Sequence, residues 1–163
     1  RGVRITDGKT LPDGTEFIHP EVSLIVDKNK IYAFCRNDKR NVPIVFISDD
    51  SGEHWSKPYV SDIPFSSSKI YSGTLSDGRN YFIGTLNADR KTLYILFSDR
   101  NTMKFSSGFL LQDGFSEELG CGYQWSYPSA YESNGKLFVV YTVSYNREQE
   151  RGTVVSVIDI NDF

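Results

Sequence analysis

The chain has 163 residues, of which 39% are hydrophobic and 14% aromatic, enough for one globular core. Its net charge of −3 comes from scattered acidic and basic residues, which excludes the basic stripe of a nucleic-acid-binding protein, and no stretch is long and apolar enough to span a membrane. Cys35 and Cys121 are too few for a metal site or a disulfide framework, so we expect free thiols and no metal or other cofactor.

Residues 1–20 contain two Asp-Gly turns and little apolar sequence. The chain opens at Arg1 with neither a methionine nor a charged-then-apolar leader, which is typical of a processed or truncated piece of a longer protein. We therefore expect residues 1–20 to be the end of a preceding structural unit.

From Glu21 onward the sequence repeats itself. Short runs rich in Tyr, Phe, Val, Ile and Thr are cut by Asp-Gly and Asn-Gly turns, and no window has a helical stripe, so the chain is predicted to be all-β. Three segments are each predicted to form a strand, a tight turn and a second strand. Their alignment superposes Ser23, Ser72 and Ser129, the turn residues Asn29, Gly78 and Gly135, and, one strand later, Ser48, Ser98 and Ser156.

The stretch Ser48 to Trp55, SDDSGEHW, fits the pattern Ser/Thr-x-Asp-x-Gly-x-x-Trp. Ser48 and Asp50 can accept hydrogen bonds from nearby backbone N–H groups, and Gly52 suits a left-handed turn position. Trp55 can hold the returning strand under apolar cover. The stretch resembles an Asp-box, the signature of bacterial-neuraminidase-repeat propellers, and this motif is structural, so it indicates fold rather than function.

A repeat of about 50 residues with four short antiparallel strands is typical of a β-propeller blade. We assign blades to residues 21–68, 69–122 and 123–163. Propellers close with about four to eight blades, so three units predict part of a larger six-bladed propeller. Its remaining blades, or a second copy of the chain, would cover the open sheet edges.

Strands of a blade alternate in direction, so the start of its first strand, the end of its second and the start of its third lie at one face of the propeller. We call this the upper face, and the opposite face, which carries the Asp-box turn, the lower face. Several candidate substrate-binding side chains fall on the upper face: Glu21, Arg36, Lys69, Tyr71, Arg90, Tyr123, Gln124, Trp125 and Tyr127.

Three segments resemble successive blades of exo-sialidases: PEVSLIVDKNKIYAFCRND, NADRKTLYILFS and SYPSAYESNGKLFVVY. In that family a Glu opens one inner strand with an Arg fifteen residues later, an Arg precedes a third strand in the next blade, and a Tyr opens the following inner strand. The matching positions are Glu21, Arg36, Arg90 and Tyr127.

The resemblance implies a retaining glycoside hydrolase that releases terminal sialic acid, located in a secreted, periplasmic or cell-surface protein. Tyr127 would be the nucleophile and Glu21 its base, since a neutral phenol avoids repulsion by the substrate carboxylate. Arg36 and Arg90 would hold that carboxylate through paired hydrogen bonds. The pocket would be completed by Lys69, Tyr71, Tyr123, Gln124 and Trp125.

Two other functions remain open from the sequence: a propeller glycosidase or lyase acting on another sugar, and a non-catalytic glycan-binding or structural propeller. Pro128 follows Tyr127 where sialidases often have Ser, and the family's remaining Arg and acid/base Asp have no match in this chain. Simpler roles are also open for several residues. Arg36 could pair with Asp38 and Arg90 with Asp89 at the surface, and Arg79 could take the carboxylate-binding role in place of Arg90. Packing between blades could account for Tyr123, Trp125 and Tyr131, and we expect no functional role for His19 and His54.

Overall fold

The computed structural model describes residues 2–6, 10–11, 14, 21–37, 42–65, 68–116, 121–145 and 150–163, and for residues 115–116, 121–123, 145 and 150 it describes the backbone alone. Within these ranges the strands form three antiparallel sheets of four strands each, which confirms the predicted all-β propeller blades. The expected side-chain environments of His19, Asp38, Cys121 and Tyr123 lie outside this description. None of the described helical structure has the length and apolar character needed to cross a membrane.

Each sheet is ordered as its strands occur along the chain. The first contains β1 to β4, which are Val22–Asp27, Lys30–Cys35, Ile44–Ser48 and Tyr59–Val60. The second contains β5 to β8, which are Tyr71–Thr74, Asn80–Thr85, Thr92–Ser98 and Phe105–Asp113. The third contains β9 to β12, which are Phe115–Ser116, Cys121–Ser133, Lys136–Tyr145 and Glu150–Asp159, and a 3-10 turn, Ile160–Asp162, follows.

Tight turns join the first two long strands of each sheet at the lower face. Asn134 and Gly135 both have positive φ, +50° and +71°, as a two-residue type I′ hairpin requires. Gly78 has φ +88° in the second sheet, whereas in the first sheet the left-handed residue is Lys28 at +55° rather than the aligned Asn29.

The third strands are less regular than the alignment suggested. Ser48 pairs with Ile31 and ends its strand, whereas Ser156 pairs with Val139 in the middle of a longer strand.

Adjacent sheets are joined along their inner strands. The Ser23 hydroxyl in β1 accepts hydrogen bonds from the Ser72 backbone N–H at 2.7 Å and from the Ser72 hydroxyl at 2.9 Å in β5. Ser129, the third aligned serine, is exposed instead, and the Tyr71 hydroxyl donates to the carbonyl of the next residue, Ala130, at 3.1 Å. Two of the three repeated serines therefore join blades directly.

The second sheet forms the centre of the core, because apolar clusters cover both of its faces. Every residue of β6 is buried. One cluster packs the first sheet against the second around Ile25, Phe34 and Phe82. The other packs the second against the third around Ile83, Leu93 and Tyr141. Face-to-face packing of successive sheets is the arrangement of propeller blades.

Cys35 is a free, buried thiol, as the sequence analysis expected. Burial raises the pKa of the Cys35 thiol to about 12, so the thiol stays protonated and unreactive at neutral pH.

The turn from Ser48 to Trp55 is held by its own side chains. The Gly52 N–H donates to the Ser48 hydroxyl at 2.9 Å, and the His54 N–H donates to the Asp50 carboxylate at 2.9 Å. Gly52 has φ +88°, and the Trp55 indole N–H donates to the Gly52 carbonyl at 3.2 Å. Trp55 also packs, partly buried, against the apolar cluster on the outer side of the first sheet. The turn therefore connects β3 to β4 as a preformed unit.

We expect Trp55→Ala to lower the free energy of unfolding by about 3 kcal/mol, near the bottom of the range for buried aromatic residues because this ring is partly exposed. Glycan binding by the folded variant should be unchanged, since the turn lies at the lower face. Chemical denaturation and a binding titration on the same sample measure both. Weaker binding with an unaltered unfolding midpoint would contradict the structural role.

His54, for which the sequence offered no role, contacts the Asp50 carboxylate through Nδ1 at 2.6 Å. Hydrogen bonds from the His54 backbone and ring and from Ser48 lower the pKa of Asp50 from 3.8 to about 2. The Asp50 carboxylate in turn raises the pKa of His54 above 6.5. The Asp50–His54 pair therefore contributes its full stabilisation between about pH 4 and 6.5, the unfolded-state pKa values of the two groups. The contribution is lost as pH falls towards 2, where Asp50 becomes protonated, and as pH rises through the folded-state pKa of His54, where the imidazole becomes neutral.

An NMR titration should accordingly give one histidine an apparent pKa above 6.5. In the Asp50→Asn variant that same resonance should shift back towards 6.5, because the carboxylate that stabilises the imidazolium is gone. Two histidines that titrate alike in both proteins would show that the contact is absent in solution.

Candidate active site on the upper face

Glu21 and Arg36 form an ion pair at the open end of the first hairpin. The register that pairs Asp27 with Lys30 and Val22 with Cys35 continues by one residue, because the Arg36 N–H donates to the Glu21 carbonyl at 3.0 Å. Arg36 Nη1 also donates to Glu21 Oε2 at 3.0 Å, with side-chain exposures of 16% and 36%. The fifteen-residue spacing thus follows from a two-residue turn, and Arg36 has Glu21 as a carboxylate partner.

The second sheet has no charged pair at the equivalent position. The residues that correspond to Glu21 and Arg36 are Ile70, which is buried, and Gly84. A Cβ atom at position 84 would overlap the Phe65 ring, so glycine is required there. Apolar packing therefore fills this part of the second blade. The cationic side chain predicted for that blade, Arg90, comes from a different element.

Arg90 lies in the upper-face loop between β6 and β7. It has φ +59°, and its N–H donates to the Asn87 carbonyl at 2.9 Å. Its guanidinium makes no ion pair or hydrogen bond with any residue that the structure describes. Asp89 instead lies 3.9 Å from the Lys91 ammonium. The expected alternative of an Arg90–Asp89 pair is therefore absent from the described residues, and Arg90 is available for an anionic ligand.

Tyr127 lies in a β-bulge of β10. Ser126 pairs with Thr142 and Ser129 with Val140, so Tyr127 and Pro128 together oppose the single residue Tyr141. Tyr127 has φ +54°, a left-handed conformation that is costly for a residue with a Cβ atom, and it is 50% exposed. Bulges of this kind re-aim side chains and are common beside active sites.

The second sheet anchors this bulge on both sides. Before the bulge, the Trp125 N–H donates to the Arg90 carbonyl at 2.9 Å and its indole N–H donates to the Lys91 carbonyl at 3.0 Å. After it, Tyr71 binds the Ala130 carbonyl as described above. The backbone carbonyl of Arg90 is therefore hydrogen-bonded to Trp125, two residues from Tyr127, so the segments that carry these two predicted site residues are neighbours.

The other predicted pocket residues divide into packing and surface positions. Trp125 is 5% exposed and packs edge-on against Tyr141 at 5.7 Å, so its role in the structure is interblade packing. Tyr71 is partly buried and uses its hydroxyl between blades. Lys69 is partly exposed, and Gln124 is exposed beside the bulge. Both remain predicted pocket residues, as does Tyr123, whose side chain is outside the description.

Arg79, the alternative to Arg90 as a carboxylate-binding residue, lies at the lower face. It is 8% exposed, donates to Asp77 at 2.8 Å and to the Phe163 carbonyl at 2.7 Å, and also donates to the Ile160 carbonyl. It therefore joins the second sheet to the 3-10 turn and has no access to the upper face. Its position directly after the Gly78 turn is the sequence signal for this placement.

The Tyr127 hydroxyl makes no direct hydrogen bond with Glu21 or any other described residue. Glu21 Oε1 likewise has none. No cluster of three or more His, Cys, Asp or Glu side chains suited to a metal ion occurs among the residues described. The upper face thus offers an ion pair, an arginine without a described partner and an exposed phenol.

Comparison with protein families gives a match over residues 4–153 to the BNR repeat-like domain. The chain belongs to the BNR repeat-like family. The sheets of this BNR repeat-like chain accordingly have the architecture of sialidase-like propellers. A comparison with curated proteins finds no match.

Solved structures of several glycan-active propellers share the fold. NanB sialidase from Streptococcus pneumoniae has a TM-score of 0.64 at 18% identity, over 87% of this chain and 23% of that one. An α-L-arabinanase from Penicillium chrysogenum, complexed with arabinobiose, has 0.61 at 14% identity, over 92% of this chain and 49% of that one. A polysaccharide lyase, an ulvan lyase, has 0.60 at 16% identity, over 82% and 34%. The chain therefore spans about half or less of the length of these structures.

The left-handed conformation of Tyr127 in the bulge leads to a prediction about stability. Tyr127→Gly should raise the free energy of unfolding by about 0.5–1 kcal/mol, because relief of the left-handed strain exceeds the added entropy of the unfolded chain. Tyr131→Gly, at a position that is 73% exposed in regular strand, should lower it by about 1 kcal/mol. Denaturant midpoints of the two variants provide the measurement, and losses of equal size would show that the bulge is unstrained.

Proposed function

We propose that the upper face is part of the active site of a retaining sialidase, which releases terminal sialic acid from glycans. The observation that carries the proposal is Tyr127, a half-exposed tyrosine kept in a strained bulge that the neighbouring blade anchors on both sides. Strained non-glycine residues concentrate at functional sites, where the surrounding structure maintains them.

The charges of the upper face favour an acidic sugar. Sialic acid carries a carboxylate at its reacting carbon, and guanidinium groups bind carboxylates through paired, charge-assisted hydrogen bonds. Arg90 has no ionic partner among the described residues, and Arg36 approaches from the first blade while Glu21 orients it. We therefore assign both arginines, which come from adjacent blades, to the carboxylate of the sugar.

The proposed reaction assigns a role to Tyr127 and to Glu21. The Tyr127 oxygen attacks the anomeric carbon as the glycosidic C–O bond breaks, and Glu21 accepts the phenolic proton. The leaving alcohol takes a proton from a general acid, which we assign to a blade outside this chain, and water then hydrolyses the tyrosyl–sugar bond. Glu21 and Tyr127 are not hydrogen-bonded in the free protein, so the proposal requires sugar binding to bring them into contact, as occurs in other enzymes whose catalytic hydrogen bonds tighten with substrate.

The test compares 3′-sialyllactose with lactose, which lacks only the acidic sugar. Arg90→Ala should weaken binding of sialyllactose about tenfold or more and leave lactose binding unchanged, because truncating one member of a charged contact costs about 2 kcal/mol or more. Lys28→Ala, which removes an exposed cation at the lower face, is the matched control. Calorimetry at two salt concentrations should show weaker sialyllactose binding at the higher one.

Catalysis is tested in the complete protein that contains this chain. Tyr127→Phe should abolish turnover of an aryl sialoside with little change in sialyllactose affinity, because only the nucleophile is lost. Retained turnover would exclude the tyrosine mechanism. Cleavage of an aryl arabinofuranoside in its place would transfer the assignment to a glycosidase of neutral sugars.

A further inference from the structure

A cavity lies between the outer strands of the first and second sheets, and its lining contains none of the proposed catalytic or carboxylate-binding residues of the upper face. Its volume is about 330 Å³, within the range of small-ligand sites. The cavity exists beside β4 because that strand has only two residues, whereas the corresponding strand of the second sheet, β8, has nine. We call it the lateral groove.

The floor of the lateral groove is apolar and aromatic, and its shape is fixed by packing. Phe105 lies edge-on to the buried Phe82 ring, with centroids 5.9 Å apart. The Tyr94 hydroxyl donates to the Pro64 carbonyl in the wall. The Ser61 hydroxyl accepts a hydrogen bond from the Ile63 N–H at 3.1 Å, which holds the chain between β4 and β5 in place. The groove is therefore preformed, as ligand sites usually are.

Three polar side chains of the groove have no hydrogen-bond or ionic partner among the residues that the structure describes. The hydroxyls of Tyr32 and Tyr59 make no hydrogen bond with any described residue, and Asp62 makes no ion pair or hydrogen bond with one. Tyr32, Tyr59 and Asp62 all line the same groove. Burial raises the pKa of the Tyr59 phenol, and the charges of Tyr32 and Asp62 add to that rise. Lys104, also in the lining, is 3.5 Å from Asp99.

We propose that the lateral groove binds an uncharged sugar residue of a glycan. A sugar ring combines an apolar C–H face, which can stack on the 44%-exposed Tyr59, with a rim of hydroxyls, which can bond to Tyr32, Tyr59 and Asp62. Asp99 partly offsets the charge of Lys104, so the Asp62 carboxylate disfavours an anionic sugar and can accept hydrogen bonds from the hydroxyls of a neutral one. This site is separate from the proposed sialic acid site and does not depend on it.

The probe is lactose, titrated into the ¹⁵N-labelled complete protein that contains this chain. Amide shifts should concentrate at residues 59–63 and 103–105, which line or border the groove. Tyr59→Ala should weaken lactose binding about tenfold, equivalent to about 1.4 kcal/mol. Tyr131→Ala, which removes an exposed tyrosine in the third sheet, should leave the affinity unchanged.

A second variant keeps the test decisive if Tyr59→Ala fails to fold. Asp62→Asn changes an exposed carboxylate and should weaken lactose binding at least several-fold while it leaves the spectrum of the free protein intact. No shifts in the lateral groove, or affinities that neither variant alters, would overturn the proposal. If lactose shifts the amides of the lateral groove but sialyllactose does not bind at the upper face, the proposed function is contradicted and the lateral-groove proposal is not.

Discussion

The placement of the upper-face residues depends on the packing of the middle sheet between its two neighbours. Because both faces of β6 are covered, the first and third sheets are each fixed relative to the second. The Ser23–Ser72 contact then sets the first inner strand against the second, and the Tyr71–Ala130 contact sets the second against the third. Side chains from three separate hairpins reach one face for this reason.

The same packing explains how a strained residue persists at the bulge. A left-handed tyrosine costs about 1–2 kcal/mol, and an isolated hairpin would relax by slipping its register. Here Trp125 is bonded to the β6–β7 loop and Ala130 to Tyr71, so both ends of the bulge are held by another sheet. Stability from the interblade core thus compensates for strain at the proposed site, a common arrangement in enzymes.

Much of the fold was predictable from sequence because it follows from local rules. The pairing of Glu21 with Arg36 needs only a two-residue turn and an antiparallel register. Gly and Asn occupy left-handed positions in the hairpin turns of the second and third sheets, whereas Lys28 takes that conformation in the first. Pro128 within a strand pattern was a usable signal of the bulge, since proline cannot donate to the ladder. Trp125 could not be assigned from sequence, because its burial depends on the β6–β7 loop of another sheet.

The lateral groove was likewise invisible in the sequence, since strand length at a sheet edge is decided by tertiary pairing. Residues 59–60 and 105–113 occupy equivalent places in the repeat, yet the first pairs over two residues and the second over nine. Where the outer strand is short, the aromatic side chains that would pack between blades border an open cleft instead. In a repeat fold, new binding surface can therefore arise by shortening one outer strand while the other strands of the blade, and the upper-face residues at their ends, keep their positions.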